Sequence, residues 1–303
     1  MTPSLDEQPV SLSPAELRQA RDELAHFLMQ YRFGMNEIET KLRILRDEFE
    51  TTHAYNPIEH ISSRVKTPES LLAKARRRDI PSAMVSHERL DRLLTLIMPR
   101  PSARALADRA NAATARSYDA VVCTTGFAAA EFERIGAENV VCAPLGVDLD
   151  QFAPHHLNPE LSARWADGST TLLAHCGRLS VEKRADRSIA AVGRLHRAGL
   201  PVHLVVAGDG PMRGALQHAA RGLPVTFLGH LRNRHDVACM LASTDISFAP
   251  GPHETFCLSA LESLASGTPV VGSRSSAVAG MIDDSCGALA DNSGAGFADA
   301  VER

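Results

Sequence analysis

The sequence has no apolar run of the roughly 18 residues that a membrane-spanning helix needs. Its start, MTPSLDEQPV, is polar and acidic, which argues against a signal peptide as well. None of the six cysteines belongs to a CxxC pair, so neither a disulfide framework nor a zinc knuckle is expected. Neither sign of charge prevails: 32 basic against 36 acidic residues leave a net charge of −4 and no long basic run. A general nucleic-acid binder is thereby disfavoured, whereas a small phosphorylated ligand is not. These absences describe a cytoplasmic protein of 303 residues, enough for about two domains.

Glycine is scarce in one half of the chain. Only Gly34 precedes Gly126, and the other 19 of the 20 glycines follow. Charge is uneven too, with 25 charged residues among the first 80 against 43 among the remaining 223. All six cysteines lie beyond position 120. Two compositional regimes share the chain, with a seam near residues 79–82.

The first regime reads as helix. Ser13 can cap, Pro14 suits a first turn, and Leu17, Leu24, Phe27, Leu28, Tyr31, Met35, Ile38, Leu42, Leu45 and Phe49 recur at helical spacing. Such a stripe over residues 13–50 serves a core or a helical partner. After a break at Asn56-Pro57, Arg64 is followed by Lys66, Ser70 and Lys74, the last three on one face of a second amphipathic segment. Two ammonium groups and a hydroxyl in a row could grip a polyphosphate, although a solvated basic face is the plainer reading. The segment YNPIEHISSRVKTPESLLAKARRR resembles the opening of the RelA/SpoT-like guanosine tetraphosphate synthetase domain. That resemblance, over about residues 13–79, implies phosphate contacts from Arg64, Lys66, Ser70 and Lys74. It stops at Ile80, before any match to that family's magnesium-binding Asp or later Glu, so synthetase chemistry is the least favoured function.

The second regime alternates short apolar runs with helical stretches. Strands are expected at residues 171–176, 202–207, 225–228, 245–249 and 268–272, with helices near 184–198, 212–221, 234–242 and 256–266. Two earlier strands, 119–123 and 140–143, flank a helix at 128–135. This is the rhythm of βαβ units and a parallel sheet, with ligand loops at the carboxyl ends of the strands. The stretch Gly208-Asp-Gly210-Pro-Met-Arg-Gly214 mimics a dinucleotide fingerprint. Its spacing is GxGxxxG, Pro211 removes an amide, and the next strand ends in Gly229-His230 without a ribose-binding acid. It is a tight turn rather than a cofactor loop.

Two loops carry better chemistry. In Gly177-Arg178-Leu-Ser-Val-Glu-Lys183, two cations sit between a buried strand and a helix amino terminus, an arrangement suited to a diphosphate. In the second loop, Glu254 and Glu262 are eight residues apart. On one helical stretch this is roughly 12 Å, too far for a glycosidase acid/base pair but suited to the two ends of an elongated ligand. No DxD-like acidic site falls in a plausible loop, and no histidines reach HxH or HExxH spacing, so no obligatory metal is expected.

The segments GRLSVEK, VVAGDGP, VTFLGH, HETFCLSALESLASGTPVV and VVCAPLGVDLDQFAP together resemble a family-four retaining glycosyltransferase of the GT-B fold, similar to GDP-mannose-using enzymes with lipid acceptors. The resemblance covers about residues 80–303. It implies an α/β fold: a helical segment over 1–80, a partial amino-terminal GT-B domain over 81–148, and a Rossmann-like, nucleotide-sugar-binding donor domain over 149–303. Gly177, Arg178 and Lys183 would face the donor diphosphate. Glu254, with Phe256, Cys257 and Leu258, would lie at the sugar, Glu262 at the ribose, and Gly229 and His230 near the base. His87, in AMVSHERLD, falls where such enzymes place a histidine near the donor sugar. Cys257 stands where the family has glycine. The implied function is transfer of mannose from GDP-mannose, with retention, to an acceptor that a membrane lipid would fit, peripherally at the inner membrane face. A catalytically inactive nucleotide-sugar-binding module is the alternative.

Overall fold

In the computed structural model, which describes Arg76, Arg77 and residues 81–86, 88–95 and 98–303, short aliphatic runs build two parallel sheets. The helical stripe at 13–50 and the set Arg64, Lys66, Ser70 and Lys74 lie outside the described residues. The first sheet begins with β1 (Ala83–Ser86), which leads through α1 (Leu90–Leu94) and α2 (Arg100–Ser117) to β2 (Ala120–Cys123). Helix α3 (Gly126–Arg134) then connects β2 to β3 (Val140–Cys142), and the strands lie in the order β1-β2-β3.

A 3-10 turn at Pro154–His156 and the short α4 (Pro159–Ser162) precede the second sheet. Strand β4 (Thr171–Cys176) is followed by α5 (Ala185–Arg197), β5 (Val202–Ala207), α6 (Arg213–Ala219) and β6 (Val225–Gly229). Then come α7 (Arg234–Ala242), β7 (Ile246–Ala249), α8 (Leu258–Ala265), β8 (Val270–Ser273), β9 (Gly287–Ala290) and α9 (Gly294–Val301). The strand order is β6-β5-β4-β7-β8-β9. The chain winds outward from β4, returns beside it at β7, and winds outward the other way. That reversal leaves a crevice beyond the carboxyl ends of β4 and β7, where ligands of such sheets bind.

Both faces of this sheet are covered. Leu173 of β4 packs with Ile189, Val192 and Leu195 of α5 and with Phe297 of α9, while Leu172 and Ala174 pack on the opposite side with Met240 and Leu241 of α7 and with Phe152. Consecutive β4 residues therefore enter different cores, which is why the strand reads as a continuous apolar run. His175 also belongs to β4, its Nδ1 3.1 Å from Ser188 Oγ, and burial pushes its pKa down to about 4. It is a neutral core group.

The first sheet positions one further segment. The Glu131 carboxylate of α3, almost fully buried, accepts the backbone N–H groups of Leu90 (2.8 Å) and Asp91 (2.7 Å), capping α1 from outside its own sequence. Arg89 bridges Asp91 (2.7 Å) and the Phe127 carbonyl (3.2 Å), and Arg134 also reaches Asp91 (3.1 Å). These contacts hold the turn between β1 and α1. The two sheets meet where Thr125, the cap of α3, donates its hydroxyl to the Thr255 carbonyl oxygen (2.6 Å).

Candidate functional site

The loop after β4 owes its course to close backbone packing. Leu179 N–H donates to the Asp209 carbonyl and Met212 N–H to the Leu179 carbonyl, both at 2.9 Å. Gly208 has φ of +143°, and a β-carbon there would stand 1.8 Å from the Gly177 carbonyl oxygen. The GxGxxxG stretch is thus a bed for the 177–183 loop. Gly208 N–H also donates to the Gly229 carbonyl (2.8 Å), which brings the end of β6, with exposed His230, alongside.

Lys183 ends a 3-10 turn on that bed, and its Nζ lies 2.8 and 2.9 Å from the two carboxylate oxygens of Glu254. The Glu254 side chain is only 13% exposed. Burial works against the Lys183 charge, but the adjacent Glu254 carboxylate more than offsets it and holds the Lys183 pKa above the ordinary lysine value. Glu254 owes its place to a glycine: a β-carbon on Gly251 would come within 2.8 Å of its Oε1.

The structure corrects one sequence expectation here. Glu254 and Glu262 do not share a helix: α8 starts only at Leu258, and Glu254 belongs to the loop before it. The rise of 12 Å derived from helical spacing does not apply. The break comes at Cys257, which adopts left-handed φ 71° and ψ 73°. That conformation costs a non-glycine residue about 1–2 kcal/mol. A glycine there would adopt it freely. The Cys257 side chain packs against the cluster of Ala249, Ala260, Val270 and Val278, and burial pushes its thiol pKa up to about 11. Burial thus disfavours its thiolate, and the side chain serves as packing.

Beyond Cys257, Phe256 is buried and Leu258 exposed, and the amino end of α8 opens beside Glu254. Glu262, one turn further on, lies 3.6 Å from the Arg234 guanidinium. Burial raises its pKa and Arg234 opposes that rise. The Arg234 guanidinium in turn stands 5.3 Å above the Phe152 ring. Lys183 and Glu254 thus form one charged pair in the crevice, and Arg234 and Glu262 a second. Gly177 lies at the exit of β4, Arg178 beside it, and Gly229 and His230 at the exit of β6.

His87 lies outside the described residues. Its neighbour Glu88 is a residue that sequence reasoning passed over. Burial pushes the Glu88 pKa up to about 7, with Lys183 and Arg178 lowering it and Glu254 and Glu182 raising it. Glu88 therefore stands in the field of the crevice, brought there by the capped turn between β1 and α1. The sole sequence signal was its adjacency to His87. A separate cavity of about 430 Å³, lined by Arg274, Asp283, Asp284 and Arg303, contains none of these residues.

Residues 170–303 match the family model described as glycosyl transferases group 1. A GDP-mannose-dependent alpha-(1-6)-phosphatidylinositol dimannoside mannosyltransferase of Mycobacterium tuberculosis (strain ATCC 25177 / H37Ra) is 52% identical over 241 residues, which are 80% of this chain and 63% of that protein. The chain thus spans less than two thirds of that relative's length. A GDP-mannose-dependent alpha-mannosyltransferase of Mycobacterium tuberculosis (strain CDC 1551 / Oshkosh) is 38% identical over 128 residues, 42% of this chain and 31% of that protein. Among solved structures, WaaG, a glycosyltransferase involved in lipopolysaccharide biosynthesis, superposes with a TM-score of 0.59 at 18% identity, over 78% of this chain and 74% of that one. Anabaena Alr3699/HepE in complex with UDP-glucose gives 0.62 at 19% identity, over 78% of this chain and 66% of that one. The parallel sheets have the GT-B fold of these solved glycosyltransferases, and residues 170–303 match the glycosyl transferases group 1 model.

Proposed function

We propose that this chain transfers mannose from GDP-mannose, with retention, to a phosphatidylinositol mannoside acceptor. The observation that carries the reading is the Lys183–Glu254 pair at the reversal between β4 and β7, cation and carboxylate side by side where a sugar diphosphate would lie. The relative at 52% identity supports the choice of donor and acceptor class. The extents 81–148 and 149–303 remain our division into an amino-terminal domain and a donor domain, and residues 1–80 lie almost wholly outside the described residues.

Arg178, Lys183 and the amino end of α8 would meet the charge of the diphosphate leaving group, an electrostatic strategy that needs no obligatory metal. Glu254 would face the mannose and support positive charge developing at the anomeric carbon. Glu262 would accept hydrogen bonds from the ribose, and Gly229 and His230 would border the base. No described helix is long and apolar enough to cross a membrane, so a lipid acceptor would be met by peripheral association. A purely binding role has no observation in its favour.

The test is transfer from GDP-mannose to phosphatidylinositol dimannoside vesicles in the presence of a chelator, with the new linkage read by NMR. An α-linked product is expected. A marked preference for UDP-sugars, or a β-linked product, would overturn the reading.

Glu88 adds a pH signature. Below its pKa of about 7 it is neutral, and above it a carboxylate competes for Lys183 and repels the donor. GDP-mannose, whose diphosphate diester does not titrate near neutrality, should therefore bind about tenfold more weakly at pH 8 than at pH 6, the equivalent of one pKa unit. Glu88→Gln should flatten that dependence, as calorimetric titration at the two pH values would reveal.

A further inference from the structure

Three metal-ligating side chains meet between α7 and the 3-10 turn that precedes α4. His235 and Cys239 are four residues apart on α7 and so share one face, with Sγ and Nε2 3.5 Å apart. His156 comes from the 3-10 turn at Pro154–His156, its ring centroid 5.0 Å from that of His235 and nearly perpendicular to it. One donor atom from each of the three lies within 4.8 Å of the others. Sequence spacing could not show this, because His156 and His235 lie 79 positions apart.

The backbone that carries these donors is fixed by other contacts. Asn233 caps α7 by accepting the His235 N–H (3.0 Å). The chain just after His156 is tied to the far end of the same helix: Asn158 N–H donates to Ser243 Oγ (2.8 Å) and Ser162 Oγ to the Ser243 carbonyl (2.9 Å). Pro154 packs against the turn at Gly267, where a β-carbon would come within 3.0 Å of its ring. The donors are therefore held together without a metal.

We propose that His156, His235 and Cys239 form a three-ligand site for a zinc-type divalent cation, distinct from the donor crevice. Zinc bonds of about 2.0–2.1 Å to nitrogen and about 2.3 Å to sulfur give tetrahedral N···S edges of about 3.6 Å. The His235–Cys239 pair already has that separation. A thiolate with two imidazoles suits zinc and cobalt far better than calcium or magnesium, whose ligands are oxygens. His235 is exposed, so the fourth position is open to water. A bound ion would clamp the 154–156 turn to the first turn of α7, whose Arg234 faces Glu262.

Cobalt is the probe for this site. One Co²⁺ per chain should bind with tetrahedral visible bands and a thiolate charge-transfer band, and Zn²⁺ should displace it. Cys239→Ser should abolish the charge-transfer band, His156→Ala should weaken binding at least tenfold, and Cys142→Ser, at an exposed cysteine outside the cluster, should change nothing. A readout without substitutions is alkylation of the native chain: Zn²⁺ should protect the peptide containing Cys239. Absence of the charge-transfer band, its survival in Cys239→Ser, or alkylation of Cys239 at the same rate with and without Zn²⁺ would each overturn the assignment.

Discussion

Lys183→Ala is expected to weaken GDP binding by a hundredfold or more, while Glu182→Ala changes it by less than about threefold. Lys183 has two duties. On the proposed reading it would supply a charge-assisted hydrogen bond to the diphosphate, worth about 1.5–3 kcal/mol, and it neutralises Glu254, whose oxygens lie 2.8 and 2.9 Å from its Nζ. With Lys183 gone, a carboxylate that is 13% exposed is left unpaired where the anion must enter. Lost attraction and new repulsion then act together, and a single hydrogen bond understates the effect. Glu182 points its carboxylate at Ser180 Oγ, so removing it disturbs only the loop's own turn. The stranded Glu254 charge should also lower stability by about 1–3 kcal/mol, since the pair is only partly screened by solvent. A second change, Glu254→Gln on top of Lys183→Ala, should restore most of that stability without restoring affinity, because the phosphate-facing cation is still missing. Calorimetry with GDP and urea denaturation of the three variants separate the two duties. Equal losses of affinity in Lys183→Ala and Glu182→Ala would sink the diphosphate assignment.

How far this site could be read in the sequence depended on whether geometry was local. Strands β4 and β5 match the expected 171–176 and 202–207, because residues buried on both faces leave an unbroken aliphatic run. The βαβ rhythm pointed to a parallel sheet with ligand loops at its strand ends, whereas the order β6-β5-β4-β7-β8-β9 that creates the crevice came only with the structure. Elements built from small residues were passed over. Helix α2 is 18 residues long but buries only Ala103, Ala107 and Asn111, so it shows no apolar stripe, and β9 is simply Gly-Ala-Leu-Ala. The late start of α8 was hidden for another reason. Cys257 takes a backbone conformation that cysteine seldom adopts, and a helical pattern extrapolated across it put Glu254 on the wrong element. Glu88 and the His156–His235–Cys239 group were invisible because each depends on segments joined only by the fold. The segment at 13–79, which drew a resemblance of its own, lies almost wholly outside the described residues.

The two glutamates should differ in how their substitution affects bare GDP. Glu254→Gln removes the partner that occupies Lys183 in the free protein, and the cation then becomes fully available to phosphate. Bare GDP should therefore bind at least as tightly as before, by a gain of up to about fivefold, since a partly exposed ion pair is worth about 1 kcal/mol or less once screened. GDP-mannose should lose affinity, about tenfold, because a charged hydrogen bond to the sugar is replaced by a neutral one. Turnover should fall further still, by about a hundredfold or more, since the carboxylate matters most when positive charge develops at the anomeric carbon. Glu262→Gln should instead weaken GDP and GDP-mannose alike, by about tenfold to a hundredfold, with no separate effect on turnover at saturating donor. Its neighbour Arg234, 3.6 Å away and largely exposed, loses an attractive partner but not its hydration, so stability should hardly change. Calorimetric titration of both ligands into both variants, followed by saturation kinetics, reads all four quantities. If Glu254→Gln weakens bare GDP as much as GDP-mannose, then Glu254 lies against the nucleotide and the ligand runs through the crevice in the reverse sense, with its sugar toward Glu262 and Arg234.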